Sequence, residues 1–333
     1  MKRRIVLIGL AAMMSAIGVA RAELSEVGIA RQPSLGHIPL MIMEDRGLLQ
    51  KQAAARGIAN LKVNYTTLAG GAAMNDALLS NVIHFAAGGV PPLVLLWSKT
   101  ASSSLAVKGV GAMNSMPLLM NTNNPKIKSL KDFTAQDKIA LPAVKVSVQA
   151  MFLQMAAEKE LGPGHGNDLD KYTVTLSHPD GMAALLAKQE VTAHFTAAPI
   201  QELELRQPGI RTILNTFDIL GQPSTFNVVW ATSRFVKENP KIYEAFCAAL
   251  EEAIGIINAD KKAAAATYIR LAKDSSDQAL IEQILNDPQV TFTTTPQAIL
   301  KYVEFMARTK TISKGTNDWK DLFFQNVHDK PGS

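Results

Sequence analysis

Residues 27–55 decide the fold class, and they read VGIARQPSLGHIPLMIMEDRGLLQKQAAA. Val27 to Ala30 form a short apolar run that is typical of a buried strand, and residues 38–55 carry apolar side chains at helical spacing. A polar loop, Gln32 to His37, separates the two, and Gly57 marks the end of the predicted helix. This order of strand, loop and helix predicts the first unit of an α/β fold.

The same alternation continues along the chain. Because strands that alternate with helices indicate βαβ units, we predict two α/β lobes, each a mainly parallel sheet flanked by helices. The last third, from residue 233 onward, is predicted to be helical, and the tail from Val327 is expected to be frayed. Further strands are predicted at 61–65, 82–86, 104–107, 117–121, 138–141, 172–176 and 193–196, and helices at 72–79, 92–98, 147–161, 182–189, 199–207 and 317–325.

The first 22 residues have the composition of a secretory signal. Lys2, Arg3 and Arg4 precede an apolar stretch at 5–19, and Ala20–Ala22 has the small-x-small pattern that signal peptidase cleaves. A membrane anchor is the alternative, but the apolar run is shorter than the roughly 20 residues that a span needs. No cysteine follows, which excludes lipid attachment there. We therefore predict a signal peptide at 1–22, cleavage after Ala22 and a periplasmic location.

Length, charge and cysteine content limit the class of protein to which residues 23–333 can belong. The 311 residues from 23 to 333 suggest two domains, because single hydrophobic cores stop growing at about 250–300 residues. Four of the five net positive charges lie within the predicted signal, so the rest carries one, and no basic run with aromatics predicts nucleic-acid binding. The single cysteine, Cys247, allows no internal disulfide and is expected to be a buried apolar residue.

Several stretches together resemble the nitrate, sulfonate and taurine branch of the periplasmic binding proteins of ABC importers, a branch that also contains thiamine-pyrimidine binders. The stretches follow one another in the family's order from Val27 to about Lys273. The sequence departs from the family at 81–84, where Asn-Val-Ile-His replaces a Gly-x-Ile-Asp turn, although asparagine also tolerates the left-handed backbone. The matching stretches are Val27–Gln32, Arg46–Leu49, Met74–Leu78, Asn124–Phe133 and Phe235–Pro240.

The resemblance implies a type II-like periplasmic-binding-protein fold with a ligand cleft between the lobes. On this basis we expect lobe 1 to comprise 23–112 and 220–333, and lobe 2 to comprise 113–219. The implied function is that of the substrate-binding subunit of an ABC importer, which captures a small molecule by lobe closure and delivers it to the permease. We expect a monomer that is not an enzyme and does not bind nucleic acid.

In open α/β sheets, ligands bind outside the carboxyl ends of the strands, where helix N-termini offer free N–H groups. Each of the loops at such ends can also be explained as a plain helix-start turn. In particular, Ser147 can be only a helix cap and Lys145 only a solvated side chain. With that alternative open, the candidate ligand-binding residues are Gln32, Ser34, His37, Gly70, Gly71, Gly89, Val90, Met113, Lys145, Ser147, Thr196, Ala197 and Phe226.

The expected ligand is an organic anion of the sulfonate, taurine or nitrate type. A neutral heterocycle such as a thiamine-pyrimidine precursor is the alternative, and a ligand-sensing subunit would have the same fold. An enzyme similar to those that make the thiamine pyrimidine is disfavoured, because that family carries a cysteine-rich iron-binding motif and this chain has one cysteine. No cofactor is expected, and the spacing of the histidines predicts no metal site.

Overall fold

A computed structural model describes residues 23–68, 70–273 and 276–333. The predicted signal at 1–22, with its cleavage site, lies outside the described residues. Within them the chain forms two β-sheets flanked by helices, which confirms the α/β fold class. None of the helices in this part of the chain is both long enough and apolar enough to cross a membrane.

The strands follow the predicted alternation, with shifts of a few residues at most ends. Strand β6 has the predicted bounds, whereas β3 and β4 begin three residues later than predicted. In chain order the strands are β1 (Glu26–Arg31), β2 (Lys62–Thr67), β3 (Phe85–Gly89), β4 (Val107–Ser115), β5 (Leu119–Thr122), β6 (Lys138–Leu141), β7 (Thr173–Thr175), β8 (Val191–Phe195), β9 (Arg211–Asn215), β10 (Thr225–Thr232) and β11 (Thr291–Phe292).

The helix predicted at 38–55 is broken into two, because Gly47 adopts a left-handed backbone (φ 59°) between them. The helix predicted at 317–325 is instead a pair of short 3-10 turns. The helices are α1 (Ile38–Asp45), α2 (Leu48–Ala55), α3 (Gly71–Leu79), α4 (Val90–Thr100), α5 (Val148–Leu161), α6 (His178–Ala187), α7 (Ile200–Leu205), α8 (Thr216–Leu220), α9 (Ser233–Glu238), α10 (Pro240–Ala259), α11 (Lys261–Ala272), α12 (Gln278–Asn286) and α13 (Ile299–Arg308).

Both sheets are mixed and not mainly parallel. The first has the strand order β11-β4-β10-β3-β1-β2, and the second has β7-β6-β8-β5-β9. Strand β1 is parallel to β2 and β3, and β6 is parallel to β7 and β8, as predicted for βαβ units. The antiparallel pairs arise because β10 runs back between β3 and β4, β5 runs back between β8 and β9, and β11 runs antiparallel to β4 at the edge of the first sheet.

The sequence analysis predicted no strand after residue 196 and therefore missed β9, β10 and β11, of which β10 is the longest. All eight of its residues are buried, so it lacks the alternation of apolar and polar residues that marks a half-buried strand. Its Trp230 is fully buried and donates from Nε1 to Asn75 Oδ1 at 3.1 Å. This bond ties the central strand of the first sheet to α3.

The chain passes between the two sheets twice. It leaves the first sheet after Ser115 and enters the second at Leu119, then leaves the second after Asn215 and re-enters the first at Thr225. We refer to each sheet with the helices packed on it as the first and the second lobe. The expected boundaries at 112/113 and 219/220 remain a prediction.

The C-terminal tail is docked and not frayed. Val327 is buried, and Ile299 N donates to the Ser333 carbonyl oxygen at 2.6 Å. The Ser333 hydroxyl oxygen also accepts from Ala298 N at 2.9 Å. The expectation of fraying was therefore wrong, because these bonds hold the last residue against the start of α13.

Candidate functional site

A narrow cavity of about 20 Å³ lies between the two lobes, at the carboxyl ends of β1, β3 and β6. Its volume is close to that of a single water site. Both lobes contribute to its wall, as the strand-end argument predicted. The lining residues are Gln32, Ser34, Gly70, Gly71, Gly89, Pro92, Pro142, Ala143, Ser147, Val148, Gln149, His178 and Phe226.

On the first lobe, backbone and small side chains dominate the wall. Gly71 begins α3, where a Cβ would lie 2.2 Å from Pro92 Cγ, so only glycine fits. Gly89 precedes α4, and a Cβ there would lie 3.1 Å from Cβ of Val148 on the other lobe. Gly89 therefore lets the two walls approach each other closely, whereas Gly71 lets the start of α3 pack against α4 of the same lobe.

On the second lobe, Ser147 and His178 lie at the starts of two helices. Ser147 is the N-cap of α5 and accepts from Ala150 N at 3.1 Å through its hydroxyl oxygen. The predicted cap is therefore present, and the same side chain lines the cavity. Its hydroxyl hydrogen remains available as a donor, so the two explanations of Ser147 are compatible. His178 is the first residue of α6.

The N-termini of α3, α4, α5 and α6 converge on this cavity, since residues from the first turn or the cap of each helix line it. The first N–H groups of a helix have no partner within the helix, and the helix dipole places partial positive charge there. None of the lining residues is Lys, Arg, Asp or Glu. The site therefore offers hydrogen-bond donors and dipoles but no formal charge.

His178 adds an imidazole to the wall. Burial, with a smaller contribution from the charge of His194, lowers the pKa of His178 to about 3, so its ring is neutral at physiological pH. Its Nδ1 lies 2.7 Å from Oγ1 of Thr196, which is itself fully buried. Thr196, a predicted site residue, thus lies behind the cavity wall and contacts His178.

Seven of the thirteen predicted residues line the cavity, and six do not. The fully buried His37 lies behind the wall, with Nε2 3.4 Å from Asn227 Nδ2, and burial lowers its pKa to about 3. Lys145 borders a neighbouring cavity of about 20 Å³ with Met151 and Phe305. The others outside the wall are Thr196, described above, and the core residues Val90, Met113 and Ala197.

Sequence reasoning missed His178 and Gln149 as members of the wall. The predicted helix began at Met182, whereas α6 begins at His178, with Ser177 as the N-cap and a proline in the first turn. The run Ser-His-Pro-Asp is a helix-start signal that would have placed His178 at a strand end. Pro142 and Ala143 were not singled out, Val148 directly follows the predicted Ser147, and Pro92 lies two positions after the predicted Val90.

The lobes also contact each other directly around the cavity. Leu35 N donates to the Ala198 carbonyl oxygen at 3.1 Å, which joins the 3-10 turn before α1 to the second lobe. Arg308 of α13 forms a two-bond ion pair with Glu158 of α5, one of its bonds measuring 2.7 Å. These contacts link the two lobes in the described conformation.

The sequence matches the model of the NMT1-like family over residues 20–272. This chain belongs to the NMT1-like family. The match covers most of the chain and includes the parts of both lobes that line the cavity. No curated protein matches the sequence.

Solved structures with this fold include periplasmic binding proteins. The alkanesulfonate-binding protein SsuA from Xanthomonas axonopodis pv. citri, bound to MOPS, has a TM-score of 0.69 at 16% identity, with 88% of this chain and 96% of that chain covered. The aliphatic sulphonate binding protein SsuA from Escherichia coli has a TM-score of 0.65 at 18% identity, with 91% and 98% covered.

A Candida albicans protein, described as exhibiting the generic periplasmic binding protein structural fold, has a TM-score of 0.69 at 13% identity, with coverages of 90% and 96%. At these identities the likeness shows the fold alone. It confirms the periplasmic-binding-protein fold, and with the family match it confirms the resemblance drawn from the sequence. Within residues 23–68, 70–273 and 276–333, no group of three or more His, Cys, Asp or Glu residues is arranged so that it could hold a metal ion.

Proposed function

We propose that this chain is the extracytoplasmic substrate-binding subunit of an ABC importer and that it captures a small organic anion between its lobes. The observation that carries the proposal is the convergence of four helix N-termini on an interlobe cavity whose side chains are uncharged. Helix N-termini bind sulfonate or carboxylate oxygens through backbone N–H groups and the helix dipole, without a charged side chain. The sulfonate-binding structural neighbours support this class of ligand.

Ligand entry requires the lobes to separate, because a cavity of about 20 Å³ does not admit an organic anion. The two connections between the sheets provide the hinge, and the ligand then favours closure by contacting both walls. The permease would recognise the closed, loaded form. We assign the lobes to 23–112 with 220–333 and to 113–219.

A neutral heterocycle, such as a pyrimidine, is the second candidate ligand. The uncharged wall favours it, as do the amides of Gln32 and Gln149 and the ring of Phe226, since these suit an aromatic ligand with mixed donors and acceptors. A ligand-sensing subunit is a further alternative with the same cleft. We propose no catalytic role for the chain, as the named structural neighbours are binding proteins.

The test is a thermal-shift screen of residues 23–333, freed of carried-over ligand by unfolding and refolding. The panel contains alkanesulfonates, taurine, nitrate, bicarbonate, aromatic carboxylates and pyrimidines. A ligand present at 100 times its Kd stabilises the folded state by about 2.7 kcal/mol, which gives a clear shift. A response to sulfonates or carboxylates supports the anion proposal, and a response to pyrimidines alone supports the heterocycle. No response from a verified refolded protein would contradict both.

A cleft variant makes this screen specific for the interlobe site. Gly89→Ala places a Cβ 3.1 Å from Val148 and opposes closure, so we expect a smaller ligand-induced shift. Gly255→Ala is the matched control, because a Cβ there has no neighbour within 4 Å.

The proposed extracytoplasmic location is tested separately by sequencing the N-terminus of the protein recovered from the periplasm, which should begin at Glu23.

A further inference from the structure

His178 is placed to present one ring nitrogen to the cavity. It lines the cavity wall and is only 5% exposed. Its Nδ1 lies 2.7 Å from Oγ1 of Thr196, and Thr196 is not among the residues that line the cavity. The opposite nitrogen, Nε2, is therefore the one that a ligand in the cavity can reach.

A buried polar network supports this ring from behind. His194, at a ring-centroid distance of 6.2 Å from His178, has its Nδ1 2.5 Å from Oε1 of Glu204. The other carboxylate oxygen of Glu204 accepts from Asn121 Nδ2 at 2.9 Å. Since all three of these supporting residues are fully buried, strand β8 and helix α7 are held together, and Thr196 at the end of β8 is fixed.

We propose that His178 is a specificity-determining residue that offers Nε2 as a hydrogen-bonding group to the polar part of the bound ligand. This inference deepens the proposed function and rests on it. An oxyanion selects the tautomer in which Nε2 carries the proton, and the Thr196 hydroxyl then donates to Nδ1. Gln32 and Ser34 lie on the other lobe's wall of the same cavity, so a ligand that contacts them and His178 links the lobes.

The proposed hydrogen bond from His178 Nε2 to the ligand is made by a neutral imidazole. Burial is the largest cause of the lowered pKa of His178, and the charge of His194, from β8, is the second; the charge of His178 in turn lowers the pKa of His37 in the first lobe. With a pKa of about 3, His178 does not change charge between pH 5 and 8. Affinity for a ligand whose own charge is constant in that range should therefore not follow a histidine titration.

The first experiment needs no ligand. Diethyl pyrocarbonate modifies neutral, accessible imidazole nitrogens, and mass spectrometry of residues 23–333 locates the modified histidines. We expect modification of His178 through the opening cleft, and of the exposed His165, but protection of His194. A protein that is modified at His165 and left unmodified at His178 would overturn the inference.

The second experiment measures affinity by calorimetry for ethanesulfonate, benzoate and cytosine. For whichever probe binds, His178→Ala should raise Kd about 10- to 100-fold, because a hydrogen bond to a charged or buried group is lost. His178→Gln should recover part of the affinity through its amide, and His165→Ala should bind like the wild type. Equal Kd values for His178→Ala and the wild type would overturn the inference while the proposed function stands.

Together, the modification and affinity experiments also distinguish failure of the proposed function from failure of the inference about His178. If no probe binds the wild type, yet the cleft histidine is modified, the choice of ligand class fails and the exposure of Nε2 to the cavity stands. If a probe binds and protects His178 from modification, both are supported.

Discussion

Each lobe has a buried histidine close to the start of a helix, and only one of the two lines the cavity. His37 lies directly before α1 in the first lobe, and His178 is the first residue of α6 in the second. Burial lowers the pKa of each to about 3. His37, however, has no hydrogen-bond partner at Nδ1 and lies against Asn227, whereas His178 lines the cavity.

The difference teaches that position at a strand end is not enough to make a ligand contact. Both histidines follow a strand and lie at the start of a helix, so local sequence treats them alike. The 3-10 turn at 35–37 places the ring of His37 behind the cavity wall, next to β10. His178 lacks such a turn and begins its helix at the wall itself. Four predictions test how far the two sites are alike.

The largest expected effect is on the pH dependence of stability, where the two histidines should behave alike. Their folded pKa values lie below the unfolded value near 6.5, so the unfolded state binds more protons as pH falls. Each histidine's contribution is fully present above pH 6.5 and is lost toward pH 3, by about 1.4 kcal/mol per pH unit. His37→Gln and His178→Gln should each flatten this slope equally in urea unfolding between pH 6.5 and 4.5.

Glu202 provides a control of opposite sign. Burial raises the pKa of its carboxyl to about 7, so its folded form keeps a proton that the unfolded form loses. The contribution of Glu202 to the free energy of unfolding is fully present below pH 4.5 and is lost as the pH rises to 7. Glu202→Gln should therefore stabilise the protein above pH 7 and steepen the loss on acidification. If His37→Gln or His178→Gln left the pH dependence of the free energy of unfolding unchanged, the ring of that histidine would not be buried as described.

The second prediction concerns the glycines that pack against each histidine's neighbours. A Cβ at Gly36 would lie 2.2 Å from Asn227 Oδ1, and a Cβ at Gly181 would lie 2.4 Å from His194 Nε2. Gly36→Ala and Gly181→Ala should each lower the free energy of unfolding by about 1–3 kcal/mol through overpacking. Gly255→Ala, in the open part of α10, should raise it by about 0.5–1 kcal/mol. A neutral Gly181→Ala would mean that α6 can move away from β8.

The third prediction separates capping from ligand contact on the second lobe. Ser147→Ala should cost about 1 kcal/mol of stability, because α5 loses its N-cap. It should also weaken binding if the hydroxyl contacts the ligand. Thr232→Ala removes a comparable cap from α9, away from the cavity, and should leave the affinity unchanged. Equal affinity for the Ser147 variant and the wild type would show that the serine is only a cap.

The smallest expected effect is on closure. Arg308→Ala removes the ion pair to Glu158 between the lobes, and exposed pairs of this kind contribute about 0.2–1 kcal/mol. The ligand-free protein should therefore show a slightly larger radius of gyration in small-angle scattering, and the difference should shrink in high salt. Arg270→Ala, which breaks a pair with Asp45 within the first lobe, is the control and should not open the cleft.

The sequence determined the elements whose signals are local. Strand β6 has the predicted bounds, because the pattern of a strand and its flanking turns lies within a few residues. Asn81 adopts the left-handed backbone (φ 60°) expected where the family has glycine. The cavity-lining residues Gln32, Gly71 and Ser147 were also predictable, since strand ends mark the binding edge of an α/β sheet.

Only the tertiary structure decided which side chains at those edges meet. Strand β10 is stabilised by neighbours about 110 to 140 positions away, β4 and β3, so no pattern within it revealed its place. For the same reason, the sequence predicted His37 as a ligand-binding residue, whereas in the structure His178 lines the cavity and His37 does not. Whether a ring faces a cavity or the core depends on the packing of lobes that are distant in sequence, and burial of this kind has no local signal.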